Sequence, residues 1–306
     1  MADKLPQKGC LRLVFRDQYD IAVRDYNDIT KELLCGAYDL HVHTSPDHDQ
    51  RSLNDWELLT EAEALGMAGV LIKNHYEPTT GRAKLVQALC PGKTEIYGSI
   101  ALNWSVGGLN PYAVESAARM GAKMVWLPTR EAVSSMEKAG IGNYRDRPAL
   151  RVVDGDMQPL PALLEVLEVA RDYNIPVSTV HILQGESFVA CRVGLAMGVT
   201  MVLSHPEYDH TPISVAAQKQ FAEMGVLIEK DWVDIALKMA TVPEVAQSIR
   251  EIGAEHLYLA TDRGQKNGEH PAESMQLFVT GLLENGISEN EIIRMIRENP
   301  RRVLGK

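Results

Sequence analysis

Histidine recurs at alternate positions in YDLHVHTSPD, residues 38–47. In a strand, alternate side chains share a face. His41 and His43 then point one way with Asp39, and Leu40 and Val42 the other. Such a pair can ligate a metal or sit hydrogen-bonded in a core, and alone it leaves both readings open. Other apolar runs end in similar groups: His181 closes PVSTVH, His205 closes MVLSH and Asp262 closes LYLATD. Several imidazoles and a carboxylate gathered in one place would carry unpaired polar groups without an ion. Neutral imidazole nitrogen with carboxylate oxygen suits zinc, and also manganese or iron. Closed structural zinc sites are rich in thiolate, and no cysteine falls at the end of such a run. A catalytic metal is therefore the expectation.

Cations accompany these groups. Lys73 shares strand parity with His75 in VLIKNHY. It could bind an anionic substrate or act as a desolvated amine, or its stem could pack while the ammonium reaches water. Arg130 and Arg263 follow two other runs. Three such cations in an acidic protein suggest a substrate carboxylate or phosphate, with plain salt bridges the alternative. Glu229, in VLIEKD, could support a ligand or simply pair with a neighbouring lysine. His48, His210 and His270 fall in connecting segments, where solvent contact competes with substrate contact. His256 begins a run and reads as structural.

The elements that must position these residues alternate along the chain. The runs GAYDLHVH, AGVLIKNHY, TEIYGSIALN, AKMVWLPT, IPVSTVHI, VTMVLSHP, VLIEKDW and HLYLATD read as strands. Stretches of helical periodicity separate them, such as DWELLTEAEALGM after the capping sequence SLND. Eight strands, each followed by a helix, predict a (β/α)8 TIM-like barrel, distorted, with its site at the C-terminal ends of the strands. No GxGxxG follows the first strand, which disfavours a dinucleotide-binding sheet. Residues 1–35 read as an N-terminal extension, with LRLVF a strand and DYNDITKELLCG a helix, packing on the barrel or on a neighbouring subunit. Residues 36–306 form the barrel, and residues 130–160 a surface insertion with a small hairpin at Asp154–Gly155.

The chain has 306 residues and a formal net charge of −10. That charge argues against nucleic acid and anionic membranes as partners. Four scattered cysteines and no apparent signal peptide predict a reducing, cytoplasmic location. A small-molecule substrate is the expected partner, and the extension is compatible with a homo-oligomer.

DLHVHTSP on a first strand, VH on a fifth, SHP on a sixth, TD on an eighth and the closing ISENEIIRMIRENPRRVLG resemble the amidohydrolase superfamily of metal-dependent hydrolases. The resemblance is nearest to a poorly characterised branch marked by IKNHYEPT, VWLPT and SHPEY. It implies that His41 and His43 bind a metal with Asp262. It also implies that His181 and His205 bind a second metal or complete a single-metal site, and that Asp262 accepts a proton from the attacking water. The fourth strand ends WLPT, without the modified lysine or glutamate that often bridges two metals. KNH on the second strand is similar to the TDH of polymerase-and-histidinol-phosphatase-type phosphoesterases, which would make His75 a ligand.

The expected function is a metal-dependent hydrolase acting on an amide, ester or lactone of a small anionic substrate. It would use one or two divalent ions, zinc foremost. Asp262, His205 and Lys73 are the candidate catalytic residues, and Lys73, Arg130, Arg263 and His210 the candidate substrate contacts. Phosphoester hydrolysis and decarboxylation are the enzymatic alternatives. A metal-stabilised barrel that binds a small molecule without turnover is the non-enzymatic one.

Overall fold

The computed structural model describes residues 28–138 and 147–306. Its strands are β1 (Tyr38–His43), β2 (Gly69–Lys73), β3 (Glu95–Gly98), β4 (Ile100–Ala101), β5 (Val125–Trp126), β6 (Val177–Ser178), β7 (Met201–Leu203), β8 (Leu227–Asp231) and β9 (Leu257–Ala260). They lie side by side in chain order in two parallel sheets, β1 to β3 and β4 to β9. Parallel strands covered on both faces need apolar residues at nearly every position. GVLIK of β2 is buried throughout.

Two junctions join the sheets into a ring. At one, β3 and β4 are halves of the single strand expected in TEIYGSIALN, interrupted at Ser99. The interruption comes from Thr79, whose amide donates to the Ser99 carbonyl at 2.9 Å and whose hydroxyl accepts from the Ser99 amide at 2.8 Å. Gly98 permits this approach: a Cβ there would stand 2.4 Å from the Thr80 Cα. At the other junction, the His43 amide donates to the Arg263 carbonyl and the Asp262 amide to the His41 carbonyl, each at 2.8 Å. With β3 and β4 as one interrupted strand, eight strand positions close into the distorted barrel expected from the sequence.

Helices α2 (Asp55–Ala64), α3 (Thr80–Leu89), α4 (Pro111–Arg119), α5 (Pro161–Asp172), α6 (Gln184–Ala196), α7 (Val215–Glu223) and α9 (Val242–Ile252) return the chain between strands. The α2 start is a capping box: Asn54 accepts from the amides of Trp56 and Glu57, and Glu57 accepts from the Asn54 amide. Leu58, Leu59 and Ala62 form its buried face. The short α8 (Trp232–Ala236) follows β8, and α10 (Pro271–Glu284), α11 (Glu289–Ile293) and α12 (Asn299–Val303) end the chain.

The helix expected before the barrel is present as α1 (Asp28–Leu34). Its Thr30 hydroxyl lies 3.1 Å from that of Thr280 in α10, and Arg297 donates to the carbonyls of Glu32 and Leu33. The expected strand LRLVF lies outside the described residues. In the insertion, Asp154–Gly155 does turn the chain, but a single antiparallel bridge, Val153 to Pro159, stands where a hairpin was expected. Residues 139–146 of the insertion are outside the described residues. Among the described residues no helix is long and apolar enough to cross a membrane.

Candidate metal centre

The site is built where β1 meets β9. Asp39 staples the two strands: its carboxylate accepts from the Thr261 amide at 3.1 Å and hydroxyl at 2.6 Å. Just beyond that staple, Asp262 Oδ1 lies 3.2 Å from His41 Nε2 and 3.1 Å from His43 Nε2. The ligand atoms of these three buried residues lie within 4.8 Å of one another. Lys73, the last residue of β2, places Nζ 2.8 Å from His41 Nε2 and 4.8 Å from the Trp126 ring centre.

The remaining imidazoles continue the cluster. The His75 ring is 4.8 Å from His43 and 6.2 Å from His181, and His181 is 5.0 Å from His205. His205 in turn is 5.9 Å from His41. His75 Nδ1 meets the Thr129 hydroxyl at 2.8 Å, and His181 Nδ1 meets the Ser135 hydroxyl at 3.0 Å. His205 is fully buried, yet neither ring nitrogen has a hydrogen-bond partner among the described residues. A buried imidazole without partners is costly unless something else occupies its lone pair. Three positions that aim these groups have left-handed backbone: Val180 at φ 40°, His205 at 34° and Asp262 at 47°. Such a conformation costs a non-glycine residue about 1–3 kcal/mol and persists where the surroundings enforce it.

The electrostatics favour a cation. Burial lowers His43, His75 and His181 well below the usual imidazole range and His205 to about 4, so the rings stay neutral near pH 7. Burial raises the Asp262 carboxyl, but the hydrogen bond from His43 and the Lys73 ammonium oppose it and help to hold the group ionised. Burial also lowers Lys73 to about 8. Beneath His41, Glu229 Oε1 lies 2.9 Å from Nδ1, and Glu229 Oε2 accepts from the Tyr258 hydroxyl. Asp231 Oδ1 is 4.0 Å from the same Nδ1. Burial, then Glu229, push the Asp231 carboxyl far up, so it stays protonated. Neutral nitrogens, an ionised carboxylate and the orphaned His205 form a donor set that fits a divalent metal.

The other residues singled out in the sequence are more dispersed. Arg130 pairs with Asp49 at 2.5 Å on the loop after β1. The Arg263 guanidinium pairs with Glu269 at 2.8 Å, while its carbonyl completes the β1–β9 junction. His210 stands edge-on to Tyr208, 5.0 Å between ring centres. His48 stacks on Tyr76, and His270 meets Glu61 at 2.7 Å. Three neighbours were not singled out in the sequence. Arg51 donates to His43 Nδ1 at 3.2 Å. The Tyr208 ring is 5.3 Å from His181 and 5.2 Å from His205. Asp231 had a signal, since it shares strand parity with Glu229. Arg51 and Tyr208 lie in loops, where no periodicity marks them.

A surface hollow of about 330 Å³ lies at the other end of the barrel, lined by Gly198, Val199, Gly225 and Arg302 among others. It does not touch these residues.

The model of a family of unknown function, DUF6282, matches residues 36–229. The chain belongs to that family. The DUF6282 match spans His41, His43, Lys73, His75, His181, His205 and Glu229, and ends before Asp262. A search among curated proteins finds no match to this DUF6282 chain. Solved structures do match. An amidohydrolase from Pseudomonas aeruginosa superposes with a TM-score of 0.62 at 12% identity, covering 90% of this chain and 98% of that one. A putative 2-pyrone-4,6-dicarboxylic acid hydrolase from Pseudomonas putida gives 0.58 at 16%, covering 89% and 98%. An organophosphorus hydrolase from Deinococcus radiodurans gives 0.57 at 14%, covering 89% and 93%. The DUF6282 chain thus has the fold of the amidohydrolase superfamily.

Proposed function

We propose that the protein is a metal-dependent hydrolase that cleaves an amide, ester or lactone of a small anionic substrate. The observation that carries this reading is the convergence of His41 Nε2, His43 Nε2 and Asp262 Oδ1 at the ends of β1 and β9. His41, His43 and Asp262 would hold a divalent ion, with His205 and His181 its further ligands or those of a second ion. Zinc is the first candidate for such nitrogen and oxygen donors, with manganese and iron next. A bound ion supplies positive charge that polarises the scissile group and makes water more acidic.

The chain's own residues do the rest. Asp262 Oδ1 is turned to the two histidines, which leaves Oδ2 to take a proton from water and return it to the leaving group. The Asp262 amide bond to the His41 carbonyl fixes the carboxylate against that pair. Lys73 Nζ occupies the lone pair of His41 Nε2, so it must swing aside for an ion to use that nitrogen. Released, it could donate to a substrate oxygen. Arg130, on the loop side of the site and a quarter exposed, is the candidate for the substrate's anionic group. A phosphoester is the second reading, favoured by His75, whose ring lies 4.8 Å from that of His43.

Elemental analysis of the purified protein tests the metal, and an ester, amide and lactone panel tests turnover. At least one equivalent of a transition metal is expected, with hydrolysis lost in Asp262→Asn. Substoichiometric metal under conditions that preserve binding overturns the reading.

A further inference from the structure

We infer that Arg51 is a latch on His43: it fixes the tautomer that cannot ligate through Nε2, and a metal enters His43 only as the latch opens. The inference rests on the metal-centre reading and adds an order of events to it. A guanidinium has donors only. Arg51 Nη2 lies 3.2 Å from His43 Nδ1, so Nδ1 must be the acceptor. The ring proton of neutral His43 is then on Nε2, where it faces Asp262 Oδ1 at 3.1 Å.

His41 is set the opposite way. Its Nδ1 gives a hydrogen to Glu229 Oε1 at 2.9 Å, and its Nε2 lone pair receives Lys73 Nζ at 2.8 Å. A neutral imidazole offers a metal only the nitrogen that lacks the proton. Of two histidines with similar placement, one therefore presents a lone pair towards Asp262 and the other a hydrogen.

The Arg51 contact is built in. Its side chain is only 4% exposed, and Asp47, whose side chain is fully buried, holds Nε and Nη2 at 2.8 Å each. For His43 Nε2 to ligate, one proton leaves Nε2 and one arrives at Nδ1. That would set an N–H against the guanidinium, donor to donor. Arg51 Nη2 must then move away, and a second acceptor is at hand: Asp49 Oδ2, 3.7 Å distant, which already pairs with Arg130. The latch has a closed position on His43 and an open one on Asp49, with Asp47 as its pivot.

Long-range proton–nitrogen NMR of protein labelled with ring-¹⁵N histidine reads both tautomers directly. Metal-free protein should carry the His41 proton on Nδ1 and the His43 proton on Nε2. One equivalent of Zn²⁺ should move the His43 proton to Nδ1. Arg51→Met should tighten Zn²⁺ binding by about tenfold, the equivalent of one charge-assisted hydrogen bond no longer broken on loading. Asp47→Asn with Arg51→Met removes the buried pair together, should the single variant fail to fold. A metal-free His43 already protonated on Nδ1, or a variant that binds Zn²⁺ no more tightly, overturns the latch. Absence of Zn²⁺ binding in every form would instead sink the metal-centre reading, while the metal-free tautomers still decide the latch.

Discussion

Glu229 Oε1 lies 2.9 Å from His41 Nδ1, across 188 residues of sequence and with both side chains fully buried. The contact fixes which nitrogen of His41 carries hydrogen and which carries the lone pair. Tyr258 orients Glu229 in turn. Outer partners of this kind typically affect metal affinity by 10–100-fold. Glu229→Gln should weaken metal binding by about that factor while leaving the circular dichroism spectrum unchanged. Competition with a chromophoric chelator measures it, and unchanged affinity would remove Glu229 from the site's support.

His205 is fully buried without a hydrogen-bond partner among the described residues. Removing an unsatisfied polar group offsets the cavity that its removal leaves. At pH 7, above the His205 titration, His205→Ala should therefore change the stability of metal-free protein by no more than about 1 kcal/mol. The same substitution should remove most of the thermal stabilisation that added Zn²⁺ gives the wild type. Paired melting curves with and without metal separate the two effects.

Burial holds His205 at about 4, below the ordinary value of 6.5. Between these values the unfolded chain binds the proton that the folded one refuses, so stability rises with pH across this interval and is lost as pH falls through it. One such group contributes at most roughly 1.4 kcal/mol per pH unit. Urea denaturation of metal-free protein from pH 4.5 to 6.5 should be steeper in pH for the wild type than for His205→Ala. Equal slopes would mean that His205 titrates normally.

Gly98 faces the Thr80 backbone so closely that a Cβ would stand 2.4 Å from its Cα. Backbone cannot yield as a flexible side chain can. Gly98→Ala should destabilise by about 2–3 kcal/mol through overpacking at the β3–β4 break. A chemical denaturation midpoint close to the wild type would show that the strand and the α3 start can part without cost.

The alternation of His41 and His43, and the histidines closing two later runs, were legible because strand periodicity is local. The order of strands was legible for the same reason. What the sequence did not reveal depends on distant closure. Ser99 ends β3 because Thr79, twenty residues earlier, takes its backbone groups. Glu229 and Asp231 share parity, but only a closed ring brings them beneath His41. The left-handed turns at Val180, His205 and Asp262 have no glycine or asparagine to signal them. Packing imposes those conformations against local preference, so propensity reads past them.

The Glu229 carboxylate beneath His41 puts a buried negative charge at the inner end of the barrel, while guanidinium groups stand on the loop side. Asp231 beside Glu229 is protonated and adds no charge, and at the outer end Arg51 and Arg130 share Asp47 and Asp49. A small molecule with one anionic end would be repelled by Glu229 at the inner end and met by guanidinium donors at the outer one. It would enter only one way round, with its charge outward and its neutral, cleavable bond towards the histidines. The depth to which it could sink would be limited by the Glu229 carboxylate as much as by shape. Orientation would then be a property of the empty barrel, settled before any contact with the reacting group.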